Sequence, residues 1–371
     1  MKNKLLIIFY LIFFCTKAIA ENILIEAKNI SLEKDNVTSI FEKEVKIKTE
    51  NGLIKSEYVK YNKTTGSLII KNNVVALDNK NNTIETEYAE YNESNKIFRS
   101  RGPTTIITAE NYILEGKNIT LNNKKRIIFS KEESILKDQD GNRISLANFE
   151  YLIEKNIFKS LGLINIKDKI GNNYNFSQIY IDTKKKEILG TDIKAFLNSQ
   201  DLKINEKNDP RVFSNTARIT KNKSTFDKSI FTLCEHREKD KCPPWTIQSS
   251  KMLHDNKNKT IYYDHAVIKV YDIPIFYFPK LSHPDPTVDR RSGFLQPRIY
   301  STKNLGKGFS IPYFFDLGKD KNLTFTSRLY MSENPLLLGE YHQKFKNSSL
   351  LTDFGFTEGY KKTSITKKSG D

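Results

Sequence analysis

Beyond its first twenty residues the sequence has no apolar run long enough for a helix to cross a bilayer, which takes roughly 20 residues. That excludes helical insertion for this part of the chain, so any insertion there must use β-strands. Clustered carboxylates are missing, and acids at matched positions are few and interleaved with Lys. No His-anchored nucleophile motif occurs either. Without such a constellation the sequence is not read as an enzyme, even though stacked β-repeats can host polysaccharide lyases and hydrolases. Cysteine is scarce, with three in 371 residues.

What is present begins with a leader. Lys2 and Lys4 precede an apolar run from Leu5 to Phe14, and Ala18-Ile19-Ala20 offers a small-x-small cleavage site. This predicts a secretory signal peptide over 1–20, cut after Ala20. Lipoprotein processing at Cys15 is disfavoured by the bulk of Phe14. Cleavage leaves Cys234 and Cys242, an even pair in an oxidising compartment. Zinc bound by Cys234, His236, Cys242 and His254 matches no compact finger spacing, so no metal and no cofactor is expected. The net charge of +16 falls to +13 once Lys2, Lys4 and Lys17 are removed. Such an excess fits a phosphorylated lipid or anionic membrane, and export argues against nucleic acid.

Residues 50–190 repeat with a period of 30. Ile54, Ile84, Leu114, Ile144 and Tyr174 share one register, and Tyr61, Tyr91, Leu121, Tyr151 and Ile181 share another. Within a unit the apolar period is two, and Asn-Lys, Asn-Asn and Asp-Gly clusters punctuate it. The fold class expected is all-β, a stacked β-repeat with a continuous apolar interior. That interior is either a filled core or a slide for acyl chains, whose candidate lining is Ile54, Ile84, Leu114, Ile144, Tyr61, Tyr91, Leu121 and Tyr151. Glu85, Glu87, Glu90, Lys55 and Lys60 read as a solvated outer face.

From residue 308 the pattern changes to amphipathic strands of about ten residues, the length of a tilted transmembrane strand. They are expected over 308–317, 322–331, 335–345 and 349–360. A barrel needs at least about eight strands. The residues after Pro297 supply fewer, so the sequence is expected to stop inside a barrel.

Between these parts lie Thr232-Leu233-Cys234, then Cys242-Pro243-Pro244-Trp245-Thr246-Ile247. Ile273-Pro274-Ile275-Phe276-Tyr277-Phe278-Pro279 and Arg290-Arg291-Ser292-Gly293-Phe294-Leu295-Gln296-Pro297 follow. Pro274 and Pro279 limit their segment to an edge strand or wall. Gly293 between Pro286 and Pro297 suits a tight reversal. Residues 205–330 resemble the LptD family, also called OstA or organic-solvent-tolerance proteins, through Trp245, Pro274, Tyr277, Pro279, Ser292, Gly293, Phe294 and Pro297. Residues 22–198 resemble it more loosely, through the repeat.

The resemblance implies a periplasmic β-jellyroll at 21–200, a connecting region at 201–300 and the first part of an outer-membrane β-barrel at 301–371. It implies lipopolysaccharide transport, with an LptE-like lipoprotein plug and an LptA-like periplasmic bridge as partners. A soluble bridge or a structural scaffold is the competing expectation. The family's disulfides reach the far end of its barrel, so a local Cys234–Cys242 bond and unpaired thiols both stay open.

Overall fold

The computed structural model describes residues 23–169, 171–198, 210–234, 243–285, 287–288, 290–302, 306–331 and 333–358. The expected leader lies outside them. The described residues are all-β, and the chain divides after His283 into two compact units.

The first unit is one 22-stranded sheet whose register-resolved pairs are antiparallel. Its long strands bend in the middle. Thr38–Thr49 shifts register between Glu42 and Val45, where Lys43 and Glu44 have φ of 66° and 52°. Ser67–Asp78 shifts between Lys71 and Val74, where Asn72 and Asn73 have φ of 64° and 52°. One repeat later the break is complete, and Ile97–Ser100 and Pro103–Ile107 are separate strands hinged at Gly102, φ 81°. Gly162 and Asp192 continue the series. A bulge of this kind turns the strand, and the left-handed conformation falls to Gly and Asn with least cost.

Because the breaks line up across the sheet, the strand segments on one side of them pair with one another and so do those on the other side: Thr38–Glu42 with Tyr58–Asn62, and Val45–Thr49 with Gly52–Ser56. The sheet thereby folds into two layers, a jellyroll with one shared core from Phe41 to Ala266. The turns at the two outer rims have their own chemistry. In layer one Asn62, Asn92, Asn122 and Asp182 accept backbone N–H groups two or three residues ahead. In layer two Asp78, Asp138 and Asp168 each hold the residue four ahead, Asn82, Asn142 or Asn172, by backbone and side chain. Asp and Asn stabilise turns through such local bonds.

The sequence period fades near 200, yet the ladder continues. Glu187–Phe196 pairs with Arg211–Ile219, which pairs with Lys223–Thr232, and that strand pairs with Trp245–Asp255. Thr260–Val270 follows, and Ile273–Pro284 is the last strand of this sheet in chain order.

The second unit is a six-stranded sheet. Four of its strands, Gly306–Gly318, Lys321–Tyr330, Leu336–Lys344 and Ser349–Thr357, fall where the amphipathic pattern put them. Its register separates the faces. Phe315, Leu323 and Tyr341 stand in one row, and Tyr313, Phe325, Gly339 and Phe354 in the next row on that face. Opposite them run Asp316, Asn322, His342 and Leu351, then Phe314, Thr324, Glu340 and Asp353. One face is thus mostly aromatic and aliphatic, and the other mixes charged and polar residues with Phe314, Leu338 and Leu351.

Candidate functional site: the jellyroll interior

The two repeated registers become two straight rows of Cα partners. In layer one the row is Tyr61, Leu68, Tyr91, Phe98, Leu121, Ile128, Tyr151, Phe158, Ile181, Ile188 and Ile219. In layer two it starts Ile47, Ile54, Ala76, Ile84, Ile106, Leu114, Leu136, Ile144 and Ile166. The second row then passes through Tyr174, Ala195, Val212, Phe231, Ile247 and Ile268, well beyond the periodic sequence.

All eight candidate lining residues lie in these rows, Ile54, Ile84, Leu114 and Ile144 in one and Tyr61, Tyr91, Leu121 and Tyr151 in the other. Seven are buried; Tyr61, near the start, is half-buried and donates its hydroxyl to Glu93 at 3.1 Å. Members 30 residues apart are two strand spacings apart rather than one, because each unit is a hairpin and the return strand interposes its own apolar residue. The outer-face reading fits the strand: Lys55, Glu85 and Glu87 are exposed, Lys60 and Glu90 half-buried.

The interior is filled. Phe98, Ile106, Leu114, Ile128, Ile144 and Tyr151 are at most 1% exposed. Burial raises the Tyr151 phenol far above its ordinary range and lifts Tyr112 to about 12, so both stay protonated. An opening remains at the rim of the early units. There Ile54, Ala76 and Ile84 of layer two and Phe98, Leu121 and Ile128 of layer one line a narrow cleft that opens to solvent, with a cavity volume of about 20 Å³.

Polar contacts bridge the rim turns of the two layers. Lys96 Nζ lies 2.5 Å from Glu50, Lys80 Nζ lies 2.6 Å from Glu154, and Arg126 Nη2 donates to Asn79 at 2.8 Å, while its Nε donates to Glu154, in the next turn of its own layer, at 3.1 Å. Further along, Thr183 donates to Glu110 at 3.2 Å and Lys186 to Gln139 at 2.7 Å. These residues were not singled out from sequence, since a charged turn residue looks alike whether it faces water or another turn.

No protein-family model matches the chain. Stretches of it are similar to curated proteins called LPS-assembly protein LptD. One, from Hahella chejuensis, is 36% identical over 116 residues, 30% of this chain and 13% of the relative. One from Methylococcus capsulatus is 33% identical over 130 residues, 33% of this chain and 12% of the relative. One from Francisella tularensis subsp. holarctica is 30% identical over 129 residues, 33% of this chain and 14% of the relative. The chain is LptD-like. The matched part spans about an eighth of the length of these relatives. Among solved structures, LptH, the LptA-homologous periplasmic component of the lipopolysaccharide transport device from Pseudomonas aeruginosa, aligns with 46% of this chain and 82% of its own. At 9% identity and a TM-score of 0.14 it carries no weight, and the jellyroll rests on the sheet described above.

The LptD motifs occupy defined places. Trp245 opens its strand, set edge-on to Phe231 with ring centroids 6.4 Å apart, and its carbonyl accepts from Thr232 at 2.8 Å. Pro274, Tyr277 and Pro279 lie on the strand Ile273–Pro284, with the Tyr277 hydroxyl 2.6 Å from His265 Nδ1. In the second unit Ser292 Oγ accepts the Asp316 N–H at 2.8 Å, and Phe294 meets Tyr313 edge-on at 4.9 Å. Gly293 corrects an expectation. It opens the short strand Gly293–Phe294, and a Cβ there would meet nothing within 4 Å, so no reversal requires it. Pro297 follows that strand.

Arg290 of the same motif explains more. Its guanidinium donates to the carbonyls of Lys319 and Lys321 at 3.1 and 3.3 Å and pairs with Asp316 at 3.3 Å. The motif thereby pins itself to the turn of the first long hairpin in that sheet. Cys234 is half-buried with its Sγ 3.8 Å from the Trp245 carbonyl. Cys242 and His236 lie outside the described residues.

Proposed function

We propose that this chain handles lipopolysaccharide at the outer membrane, passing its acyl chains along the jellyroll interior towards a barrel wall begun by the second unit. The observation that carries this reading is the pair of apolar rows, which run together from the first hairpins as far as Ile219. Each buried acyl methylene contributes about 0.8 kcal/mol without any directional contact. Rows made of aliphatic and aromatic side chains, with phenol hydroxyls as their sole polar groups, suit a chain along much of their length.

The rest of the reading follows the LptD likeness. A leader over 1–20 would direct export, the jellyroll would stand in the periplasm, and residues from about 301 would enter the outer membrane. An LptA-like bridge would deliver the lipid and an LptE-like lipoprotein would plug the completed barrel. The chain acts by transport and not by catalysis. Cys234 and Cys242 are either bonded to each other or left as thiols.

The test is photo-crosslinking in the full chain. Probes at Ile84, Leu114 and Ile144 should label lipopolysaccharide, and probes at Lys55 and Glu85, which face outward on their strands, should not. Equal labelling of both sets, or none in the folded chain, would leave a structural scaffold, the reading that the filled interior favours.

A further inference from the structure

The layer-one turns carry a conformational oddity that repeats. Gly66, Lys96, Arg126, Asn156 and Lys186 sit 30 residues apart at the same turn position, with φ of 61°, 55°, 54°, 56° and 53°. Gly66 is the unstrained solution there. A residue with a long side chain pays about 1 kcal/mol or more for the left-handed conformation. Three of the five positions nevertheless hold a cation. Each of the three reaches 46 or 47 residues back, to a turn of the opposite layer: Lys96 to Glu50, Arg126 to Asn79 at 2.8 Å, and Lys186 to Gln139. The strained backbone thus coincides with a side chain that spans the rim.

Arg126 stands out among the three. Asp78, 3.7 Å from it, lines the apolar cleft along with Leu121 and Ile128. Its guanidinium is 13% exposed, bonded through Nε and Nη2, while the buried Nη1 has no hydrogen-bond partner. A buried guanidinium donor without an acceptor, beside an apolar cleft, suits a ligand that brings an anion and an alkyl chain together. A peptide fits poorly, because the strands around the cleft are already paired on both sides and offer an inserted backbone no partners. An alkyl chain needs none.

We infer that Arg126 and the cleft beside it form an admission site for a phosphorylated, acylated lipid, closed at rest by a polar latch of which Arg126–Glu154–Lys80 is the central group. On opening, Arg126 exchanges Glu154 for the phosphate, and the acyl chain takes its place between Ile84 and Phe98. This rests on the transport reading and adds where the lipid enters and what must part to let it in.

The test uses the full chain with a photo-crosslinker at Ile84, and purified lipopolysaccharide or diacylglycerol as the lipid. Arg126→Gln should lower the ratio of lipopolysaccharide to diacylglycerol labelling about tenfold, as loss of a charge-assisted hydrogen bond implies. Glu154→Gln should raise diacylglycerol labelling about threefold, the scale of a lost rim pair. Lys80→Cys with Glu154→Cys, joined by a short bis-maleimide, should suppress both labels, and the unjoined double variant serves as its folding control. An unchanged lipid ratio in Arg126→Gln, or full labelling of the joined protein, overturns the latch site while the transport reading stands. No labelling of the unsubstituted rim by lipopolysaccharide at Ile84, Leu114 or Ile144 overturns both.

Discussion

Tyr151 and Phe158 are direct partners on adjacent strands, their rings stacked at 4.3 Å with 25° between planes, and neither is more than 1% exposed. They sit mid-row, where each unit hands its apolar register to the next. Phe158→Ala should destabilise the first unit by about 3–5 kcal/mol, since a buried ring leaves a cavity that a doubly laddered sheet closes poorly. Equilibrium unfolding in urea, followed by circular dichroism, would read this as a lowered midpoint. An unchanged midpoint would mean that the row does not hold the layers together.

Gly190 makes a separate prediction about how close the layers come. A Cβ on Gly190 would lie 2.2 Å from Cδ1 of Phe176, a buried ring. Gly190→Ala should cost about 1–3 kcal/mol by overpacking. Phe176→Leu should recover part of that loss in the double variant, and a cycle of unfolding free energies without coupling would contradict the contact.

Glu154 offers a titration. Hydrogen bonds from Lys80 and then Arg126 hold its carboxyl below the ordinary 4.5. A folded value below the unfolded one means that the contribution is complete above the unfolded value and is lost as pH falls through the folded one. The latch should therefore be intact at neutral pH and open only in acid below about 4.5. Carboxyl-carbon NMR should place the Glu154 midpoint under that value, and Lys80→Gln should move it back up. A midpoint unaffected by Lys80→Gln would remove the ion pair from solution.

Arg290 should not be replaceable by Lys. One ammonium cannot hold two carbonyls and a carboxylate in a fixed fork. Arg290→Lys and Arg290→Ala should both speed tryptic cutting after Lys319 and Lys321, and to a similar degree. If the Lys variant resisted trypsin as the native protein does, charge alone would explain the position.

Much of this architecture was legible because the repeat is long and its register exact to the residue. A one-residue slip in any strand would send its apolar set outward, so Ile54, Ile84, Leu114 and Ile144 had to share a face. The strands after 306 were legible through an alternation that is clearest in Lys321–Tyr330, with turn residues between them. The continuation through Val212, Phe231, Ile247 and Ile268 was not, because the spacing between row members is irregular there although the pairing is not. The bends at Asn72, Asn73 and Gly102 were visible only as ordinary turn residues. The rim pairs were hidden altogether, since Lys80 and Glu154 are 74 residues apart and meet only because the sheet folds over.

The line of breaks that crosses the sheet has a consequence for size. Each hairpin adds one step out and one step back to both rows at once, whatever its neighbours are. Removing or duplicating a whole 30-residue unit would leave every remaining pair in phase, whereas removing fifteen residues would reverse the chain's direction at the splice. The length of the corridor is therefore a whole number of hairpins, and it can grow or shrink by gene duplication or loss without redesigning its walls.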